Sequence, residues 1–590
     1  MATALESASL VMAPCGYEDG TLGSLQPTDG SGDFTFTRGS NLSATRVNAA
    51  GNIEKGYENL LLQSNSFDTT WVTAATSVTS NQAGYDGFND AWKLETTSNG
   101  SRYLQQLISV NSVQSISIYA KSGTTDFLGI QIIGTGSGYS FFNLSNGTLG
   151  SSSSGVIDKN IELVNGTTDW YKCSFVINAN TVAIRIYPTN ADSVFPSTTG
   201  QNIYIQDAML NQGLVAYPYI ETTTTSAQGG ILEDTPRIDY SSGPNGSLLL
   251  EPSRTNLINN SGYFANRVYN STIITQNYNI SPEGVINSAL IDKNGVAYGR
   301  IDYNFYYPSG TYTYSAFVKG NDIVKLRLDY PGSSKEAYIN CSNGQTTNYQ
   351  SKPMDSISSV NYGNGWYRFI CTAETPSGLT LHVARLYVMD VIGGEGNSNP
   401  ATAEIYGTQV EQGSYPTSYI PTYGTSVTRA REVCGSAGNS STFNSTEGVL
   451  YAEIARLDGD TGGYKELSIS DGTTSNVIKI TLPNSNFIQG AVRTNISGTV
   501  LETLISYTPI GGYQGFQKIA LKYKQNDFAL FVNGIKVGFN TNGNTCLSNV
   551  INNFSFNRGN PVNIFYGKAK QVLTFNTALS DAALIELTTL

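Results

Sequence analysis

Histidine and clustered cysteine are nearly absent from this chain of 590 residues, which excludes several common kinds of active site. The single histidine, His382, has no second histidine with which to build a metal site. A catalytic triad also needs a separate nucleophile and acid, so we interpret His382 as an ordinary strand residue. The cysteines form no CxxC pair, which argues against zinc and favours buried, reduced thiols. They are Cys15, Cys173, Cys341, Cys371, Cys434 and Cys546.

Charge is scarce as well, since charged residues make up only 13% of the chain. The net charge of −11 comes without any basic run, so no nucleic-acid partner is expected. No apolar run approaches the ~20 residues of a membrane span, and the first residues lack the lysine or arginine of a signal peptide. We therefore expect neither membrane insertion nor export.

Glycine and tyrosine are abundant instead, with 60 Gly and 37 Tyr beside many Ser, Thr and Asn. Aromatic residues favour strands, and Gly, Asn and Ser favour turns. Many short strands joined by many turns are therefore predicted. The length of the chain exceeds what one hydrophobic core supports, so several domains are expected.

An internal repeat covers most of the first 430 residues. Four strings recur in the same order at nearly one spacing, so we infer two copies of one domain, called copy 1 and copy 2 below. In copy 1, residues 217–221 are expected to be a shortened form of the closing motif of copy 2. The strings are Glu58-Asn59-Leu60 with Thr255-Asn256-Leu257, Ser117–Lys121 with Ser315–Lys319, Trp170–Lys172 with Trp366–Arg368, and Gln212-Gly213 with Gln412-Gly413.

Alternating polar and apolar residues in both copies predict an all-β fold of two tandem jelly-roll β-sandwiches. Residues 440–590 do not follow the repeat, and they predict a third sandwich. There, Asn533-Gly534 predicts a tight hairpin, and Ser580 predicts the cap of a short helix over 579–587. The expected domains are an N-terminal segment 1–56, copy 1 at 57–228, a linker at 229–253, copy 2 at 254–432 and the third sandwich at 440–590.

Two resemblances follow from particular strings. The hairpin at Asn533-Gly534 and the closing Val572–Ala582 resemble concanavalin-A-like lectin domains of the laminin-G type. Other strings resemble virion structural proteins of tailed bacteriophages, of the fibre or spike type. They are the stretch 25–48, Thr235–Tyr240, Leu248–Leu257 and Gly413–Thr422.

The phage resemblance implies a protein of the virion that is assembled in the bacterial cytoplasm. It implies that the N-terminal segment docks on other capsid or tail proteins, with Met1, Leu10, Tyr17 and Phe34 as anchoring residues. Homotrimers are expected, because fibres of this class are commonly trimeric. The lectin resemblance implies that the outer domains adhere to a host surface polysaccharide.

Residues for sugar or metal binding are sought among aromatic and acidic side chains. A sugar ring needs an aromatic platform with amides or carboxylates beside it. Trp170 and Trp366 recur in both copies and are expected in the core. Asp458 and Asp460 lie in a glycine-rich turn and are candidates for a structural Ca²⁺ site, although no cofactor is expected otherwise. The glycan-binding candidates are Trp71, Tyr306, Tyr307 and Tyr513.

No catalytic residue is predicted, because the alternating acids of glucanases that share the lectin fold do not occur as a string. The favoured interpretation is a non-enzymatic fibre or spike that binds glycan. A head fibre or capsid decoration protein with a purely structural role is the alternative, and a glycan depolymerase is a third.

Overall fold

The computed structural model describes residues 6–40, 42–98, 100–196, 198–484 and 486–590. Within these ranges the chain is nearly all β, and its strand ladders are antiparallel, which confirms the predicted all-β fold of tandem sandwiches. Among the described residues we find no helix with the length and apolar character that a bilayer crossing requires.

Residues 10–59 form seven short strands, three of which (β1, β4 and β7) pair with distant parts of the chain. Their bounds are β1 (Leu10–Met12), β2 (Tyr17–Glu18), β3 (Thr21–Leu22), β4 (Phe34–Thr37), β5 (Thr45–Val47), β6 (Ile53–Lys55) and β7 (Tyr57–Asn59).

Copy 1 is a β-sandwich in which two long strands, β11 and β16, bend and run through both layers. Its strands are β8 (Val72–Ala74), β9 (Thr76–Gln82), β10 (Ala91–Thr96), β11 (Tyr103–Ser122), β12 (Phe127–Thr135), β13 (Gly138–Asn143), β14 (Thr148–Ser152), β15 (Val156–Leu163), β16 (Tyr171–Thr189) and β17 (Asn202–Gln212).

The linker holds two complete strands, and copy 2 follows as two separate six-stranded sheets. The linker strands are β19 (Ile238–Asp239) and β20 (Ser247–Leu250), while β18 (Ala227–Gly229) lies across the end of copy 1 and β21 (Arg254–Asn256) opens copy 2. The copy 2 strands are β22 (Val268–Tyr269), β23 (Ile273–Thr275), β24 (Ala289–Asp292), β25 (Arg300–Tyr307), β26 (Gly310–Lys319), β27 (Ile323–Tyr330), β28 (Ser333–Asn340), β29 (Thr346–Asn348), β30 (Ser356–Asn361), β31 (Tyr367–Thr375), β32 (Leu381–Met389) and β33 (Thr402–Gln412).

The C-terminal sandwich has one nine-stranded and one eight-stranded sheet. Its predicted hairpin at Asn533-Gly534 and its helix capped by Ser580 are both confirmed. Strand β34 (Val427–Arg429) precedes this sandwich and closes copy 2 by pairing with β21. The elements of the sandwich are β35 (Val433–Ala437), β36 (Glu447–Arg456), β37 (Lys465–Ser470), β38 (Val477–Asn484), β39 (Phe487–Ile496), β40 (Thr499–Tyr507), β41 (Gln517–Lys524), β42 (Phe528–Val532), β43 (Ile535–Asn540), β44 (Asn553–Ser555), β45 (Gly567–Phe575) and α1 (Asp581–Thr588). Short 3-10 turns lie at Ala265–Arg267 and Gly394–Gly396.

The C-terminal sandwich is built from more of the chain than residues 440–590. Strand β1 pairs with β45, β4 pairs with β35, and β20 of the linker also pairs with β45. The reason is burial of apolar surface, because Leu10, Phe34 and Leu248 fill the core of this sandwich. The expected boundaries therefore separate segments that share one core.

Each copy is closed by a buried asparagine at the same place in the repeat. The amide of Asn59 donates to the carbonyls of Ala208 and Ile220, at 3.1 and 2.8 Å. Asn256 donates in the same way to Thr408 and Ile420. Each side-chain oxygen also accepts two backbone N–H groups. The repeated Asn-Leu string is thus a structural tie between the first and last strands of each copy.

The closing motif of copy 1 is not shortened, contrary to the sequence-based expectation. Tyr219 bonds Ser64 as Tyr419 bonds Ser261, at 2.7 and 2.6 Å. The spacing from Gln212-Gly213 to Tyr219 therefore equals that from Gln412-Gly413 to Tyr419. Only the Tyr-Pro pair has moved, by two positions.

A buried ionic network joins the N-terminal segment, the linker and the end of copy 2. Arg237 donates to both Glu251 and Glu432, while Arg38 reaches Glu432 and Arg429 reaches Glu251. Burial opposes ionisation of Glu251, but Arg429 and Arg237 hold the pKa of its carboxyl well below the usual range. Two of the strings that resemble phage proteins, Thr235–Tyr240 and Leu248–Leu257, therefore each contribute a residue to this junction, Arg237 and Glu251.

Candidate ligand-binding face

The outer face of one layer of copy 1 is lined with aromatic and amide side chains. Strands β11, β16, β12 and β13 lie side by side there, and alternate residues point away from the core. Leu104, Ile130 and Ile186 face inward and are buried. We call the outward-facing set the copy 1 face. It comprises Tyr103, Gln105, Gln131, Tyr139, Phe141, Arg185 and Tyr187, with Phe195 from the following loop.

Arg185 lies at the centre of this face. Its guanidinium stacks 4.0 Å from the centre of the Tyr103 ring, and its Nε donates to Gln105 at 2.7 Å. Burial raises the pKa of the Tyr187 phenol, and a hydrogen bond from Arg185 opposes that rise. Stacking and hydrogen bonding together fix the plane of the guanidinium.

An aromatic cluster adjoins the arginine. The Phe195 ring lies 4.9 Å from Tyr187, 5.5 Å from Phe141 and 5.9 Å from Tyr139, centre to centre. Phe195 remains 40% exposed, so the cluster presents a ring to solvent. Tyr187 also donates to Gln131 at 2.6 Å.

Gly129 makes this cluster possible. It lies beneath the Phe141 ring on the neighbouring strand, and an added Cβ would come within 2.9 Å of that ring. The missing side chain lets Phe141 lie against the sheet, where Phe195 and Tyr187 cover it. Any larger residue at this position would lift the aromatic cluster.

The face can do two things chemically. Aromatic rings pack against the apolar face of a sugar ring, and the amides and phenols can hydrogen-bond its hydroxyls. From Tyr103 on β11 to Tyr139 on β13 the face crosses three strand spacings, or about 14 Å. This width suits an oligosaccharide rather than a single ring.

The structure brings none of the predicted glycan-binding residues to this face. Trp71 is 4% exposed and its indole packs on Phe67 in the core of copy 1. Tyr513 is 7% exposed and belongs to the core of the C-terminal sandwich. Both are therefore corrected to core residues, because their rings are withdrawn from solvent. Trp170 and Trp366, expected in the core, are buried as predicted.

The other two aromatic candidates are accessible, but on copy 2. Tyr306 is 78% exposed and lies beside the His382 ring at 4.8 Å. Tyr307 is partly buried and lines a cavity of about 350 Å³ together with Tyr303 and Arg267. They remain candidates for a secondary contact.

The acidic candidates for a metal site have different surroundings. The carboxylate of Asp460 is buried between Arg456 and Lys465, at 3.2 and 3.1 Å. Asp458 is exposed next to it. Two cations already neutralise Asp460, so this pair is corrected from a Ca²⁺ site to an ion-pair turn. Among the described residues, no group of three or more His, Cys, Asp or Glu side chains is arranged to hold a metal ion.

The residues predicted to anchor the N-terminal segment also differ in their exposure to solvent. Leu10 and Phe34 are fully buried in the C-terminal sandwich, where Phe34 packs on Phe554 at 5.4 Å, so they are corrected to core residues. Tyr17 is 40% exposed and accepts a hydrogen bond from Arg46. Met1 lies outside the described residues.

Sequence reasoning missed the copy 1 face, although a signal was present. Tyr103 and Gln105 alternate along one strand, and Arg185 and Tyr187 alternate along another. Such alternation is ordinary in any strand, and only the pairing of the two strands shows that the side chains meet.

Comparisons with known proteins extend over about a quarter of the chain. No family profile matches the sequence, and no curated protein matches it. Among solved structures, the chain is similar to the CBM40 module of the Ruminococcus gnavus IT-sialidase bound to α2,3-sialyllactose. That likeness has 17% identity and a TM-score of 0.22, and it covers 26% of this chain and 94% of that one.

Two further solved structures show a similar degree of likeness. The same module bound to α2,6-sialyllactose has 17% identity and a TM-score of 0.23, covering 26% of this chain and 93% of that one. The leech intramolecular trans-sialidase has 20% identity and a TM-score of 0.21, covering 24% of this chain and 23% of that one.

Proposed function

We propose that this chain is a non-enzymatic structural protein of a tailed-phage virion, a fibre or spike that adheres to host surface glycans through the copy 1 face. The observation that carries the adhesive role is the exposed Phe195 cluster beside Arg185 and its amide neighbours. Such a face combines a platform for sugar rings with fixed hydrogen-bonding groups.

The virion role is supported by the strings that resemble phage structural proteins. They include the buried Arg237 and Glu251 of the junction network. A binding role rather than hydrolysis is supported by the composition of the face, whose groups are phenols, amides, phenyl rings and one guanidinium. Glycoside hydrolysis instead relies on a pair of carboxyl groups flanking the scissile bond.

The adhesive role is tested with a glycan array of host surface polysaccharides and the purified full chain. We expect binding that falls at least tenfold in Phe195→Ala, because the exposed ring is lost. Tyr278→Ala is the matched control, since it removes an exposed ring of copy 2 that lies outside the candidate residues and should leave this binding unchanged. Silence of the array on host polysaccharide, or an undiminished signal from Phe195→Ala, would contradict the proposal.

A purely structural decoration protein is the second candidate, and one observation favours it. Strands β1 and β4 of the N-terminal segment are committed to the C-terminal sandwich, so the expected anchor is not a free arm over these residues. Attachment through a module surface would then replace N-terminal docking. An image of the particle that places the protein on the capsid lattice, with no glycan binding, would favour this candidate.

Trimer formation belongs to the same proposal. We expect native mass spectrometry of the purified chain to give three times the 63.4 kDa mass of one chain. A monomer at micromolar concentration would contradict it.

A further inference from the structure

Arg185 carries the charge at the centre of the copy 1 face. Within the described residues it takes part in no ion pair, and its contacts are Tyr103, Gln105 and Tyr187. A guanidinium has five N–H donors, and one of them, the Nε–H of Arg185, donates to Gln105. The terminal amino groups of a guanidinium can present two parallel N–H donors to a bidentate carboxylate.

The arginine at the same position in copy 2, Arg385, has carboxylate partners. Register places Arg385 where copy 1 has Arg185, and Asp302 where copy 1 has Gln105. Arg385 pairs with Asp302 at 3.3 Å and with Asp329 at 2.9 Å. In copy 1 the position of Asp329 is held by Ile133. Both acids that would neutralise the arginine are therefore replaced by neutral residues.

We infer that the copy 1 face recognises an acidic sugar, with the carboxylate of a uronic-acid-type residue bound by Arg185 and the neighbouring rings packed on the Phe195 cluster. This inference rests on the proposed glycan binding and adds the class of glycan. The carboxylate of the sugar would neutralise Arg185, as Asp302 and Asp329 neutralise Arg385 in copy 2.

The surroundings limit how much negative charge the ligand carries. The chain has a net charge of −11, so a densely charged polyanion is repelled at long range. Among the side chains of the face Arg185 is the cation, beside neutral amides and aromatic rings. A polymer with acidic residues among neutral ones matches this pattern better than a phosphate-rich polymer does.

The test uses one polysaccharide in two forms with the full-length protein. The first form is a uronic-acid-containing polymer, and the second is the same polymer after reduction of its carboxylates to primary alcohols. We expect the acidic form to bind at least tenfold more tightly. Arg185→Gln should lose that preference while keeping the weaker binding of the reduced form, because Gln retains a polar group without charge.

Two further variants separate charge from fold. Arg185→Lys should recover part of the preference, since it restores the charge without the planar fork. Arg385→Gln removes an arginine of copy 2 and should leave the preference intact. Equal binding of both polymer forms, unchanged in Arg185→Gln, would overturn the acidic-sugar inference alone. Absence of binding to either form and to the array would overturn the proposed glycan binding with it.

Discussion

The two copies share one backbone register and differ in the chemistry of one outer face. Both are tied by a buried asparagine, and both keep an arginine and a tyrosine at matched positions, Arg185 with Tyr187 and Arg385 with Tyr387. Around this pair copy 1 is aromatic and neutral. Copy 2 instead carries ion pairs across four strands. The inward face and the asparagine thus preserve the fold, while the outward face is free to change its function.

The contrast extends to the loop that covers each face. In copy 1, Phe195 covers Phe141 above Gly129. In copy 2, Glu395 occupies the position of Phe195 and Lys325 occupies that of Gly129, and these two side chains form an ion pair at 3.0 Å. The loop residue that covers the face is therefore aromatic in copy 1 and charged in copy 2. Copy 2 pairs its charged groups with one another, whereas copy 1 leaves the Phe195 ring partly exposed, and Arg185 forms no ion pair within the described residues.

Proline accounts for the difference in sheet architecture. Strands β11 and β16 of copy 1 run through the bend without a break, at Val110 and Asn180. In copy 2 the corresponding positions are Pro308 and Pro376, which lack an N–H for the ladder. The long strands are split there, so copy 2 has two separate sheets.

The largest expected effect tests the element that the copies share. Asn256→Ala should destabilise copy 2 by about 4 kcal/mol, because two buried carbonyls and two backbone N–H groups lose their partner. Hydrogen exchange of the β26 and β33 amides measures the loss module by module.

The matched variant is Asn59→Ala, which should cost a similar amount in copy 1 and leave the β26 amides protected. A loss below about 1 kcal/mol in either copy would show that the asparagine is not the common tie.

The second prediction addresses the face of copy 2. Glu336→Gln should destabilise copy 2 by about 3 kcal/mol, because Lys325 is fully buried and would keep only Glu395 as its countercharge. Urea unfolding followed by hydrogen exchange of β27 and β28 measures it. The matched change in copy 1, Tyr139→Phe, removes one hydroxyl and should cost less than about 0.5 kcal/mol. Equal effects of the two variants would contradict a difference in how the faces are held.

Much of the fold was accessible from the sequence, since the repeat and the alternating strands carry it. The hairpin at Asn533-Gly534 was predictable because both residues adopt positive φ there, at 49° and 81°. The helix after Ser580 follows from its cap. These features depend on neighbours in the chain, which is why local patterns reveal them.

Long-range pairing was not accessible in the same way. Nothing local to Leu10 indicates that it pairs with Thr574, more than 560 positions away. The short strand β1 is apolar because it lies in a hydrophobic core, but its sequence does not indicate which domain contains that core. The candidates for glycan binding were aromatic residues that lie outside the repeat, and two of them, Trp71 and Tyr513, are buried. The copy 1 face instead lies within the repeat and differs from copy 2 position by position.

The smallest expected effect concerns pH, and it again distinguishes the copies. Burial raises the pKa of Asp207 in copy 1 to about 6, against an ordinary value of 3.8, although a hydrogen bond from Tyr85 opposes the rise. The folded chain then binds this proton more strongly than the unfolded chain. Its contribution to stability is therefore complete below about pH 4 and is lost as the pH rises through about 6. Copy 2 has Gly407 at this position with the same φ of 53°, and so has no such group.

We expect the protection of copy 1 amides, measured by hydrogen exchange with correction for intrinsic rates, to fall by about 2 kcal/mol between pH 4 and pH 7. Asp207→Asn keeps an acceptor for Tyr85 and should remove most of this slope, which raises the stability of copy 1 at pH 7. The carboxyl of Asp90, whose pKa is also raised by burial and by Asp86, leaves a smaller residual slope.

The β26 amides of copy 2 serve as the internal reference, since they should lack the Asp207 contribution. If copy 1 grew more stable toward neutral pH, or if Asp207→Asn left the slope unchanged, the buried carboxyl would not be the origin of the difference.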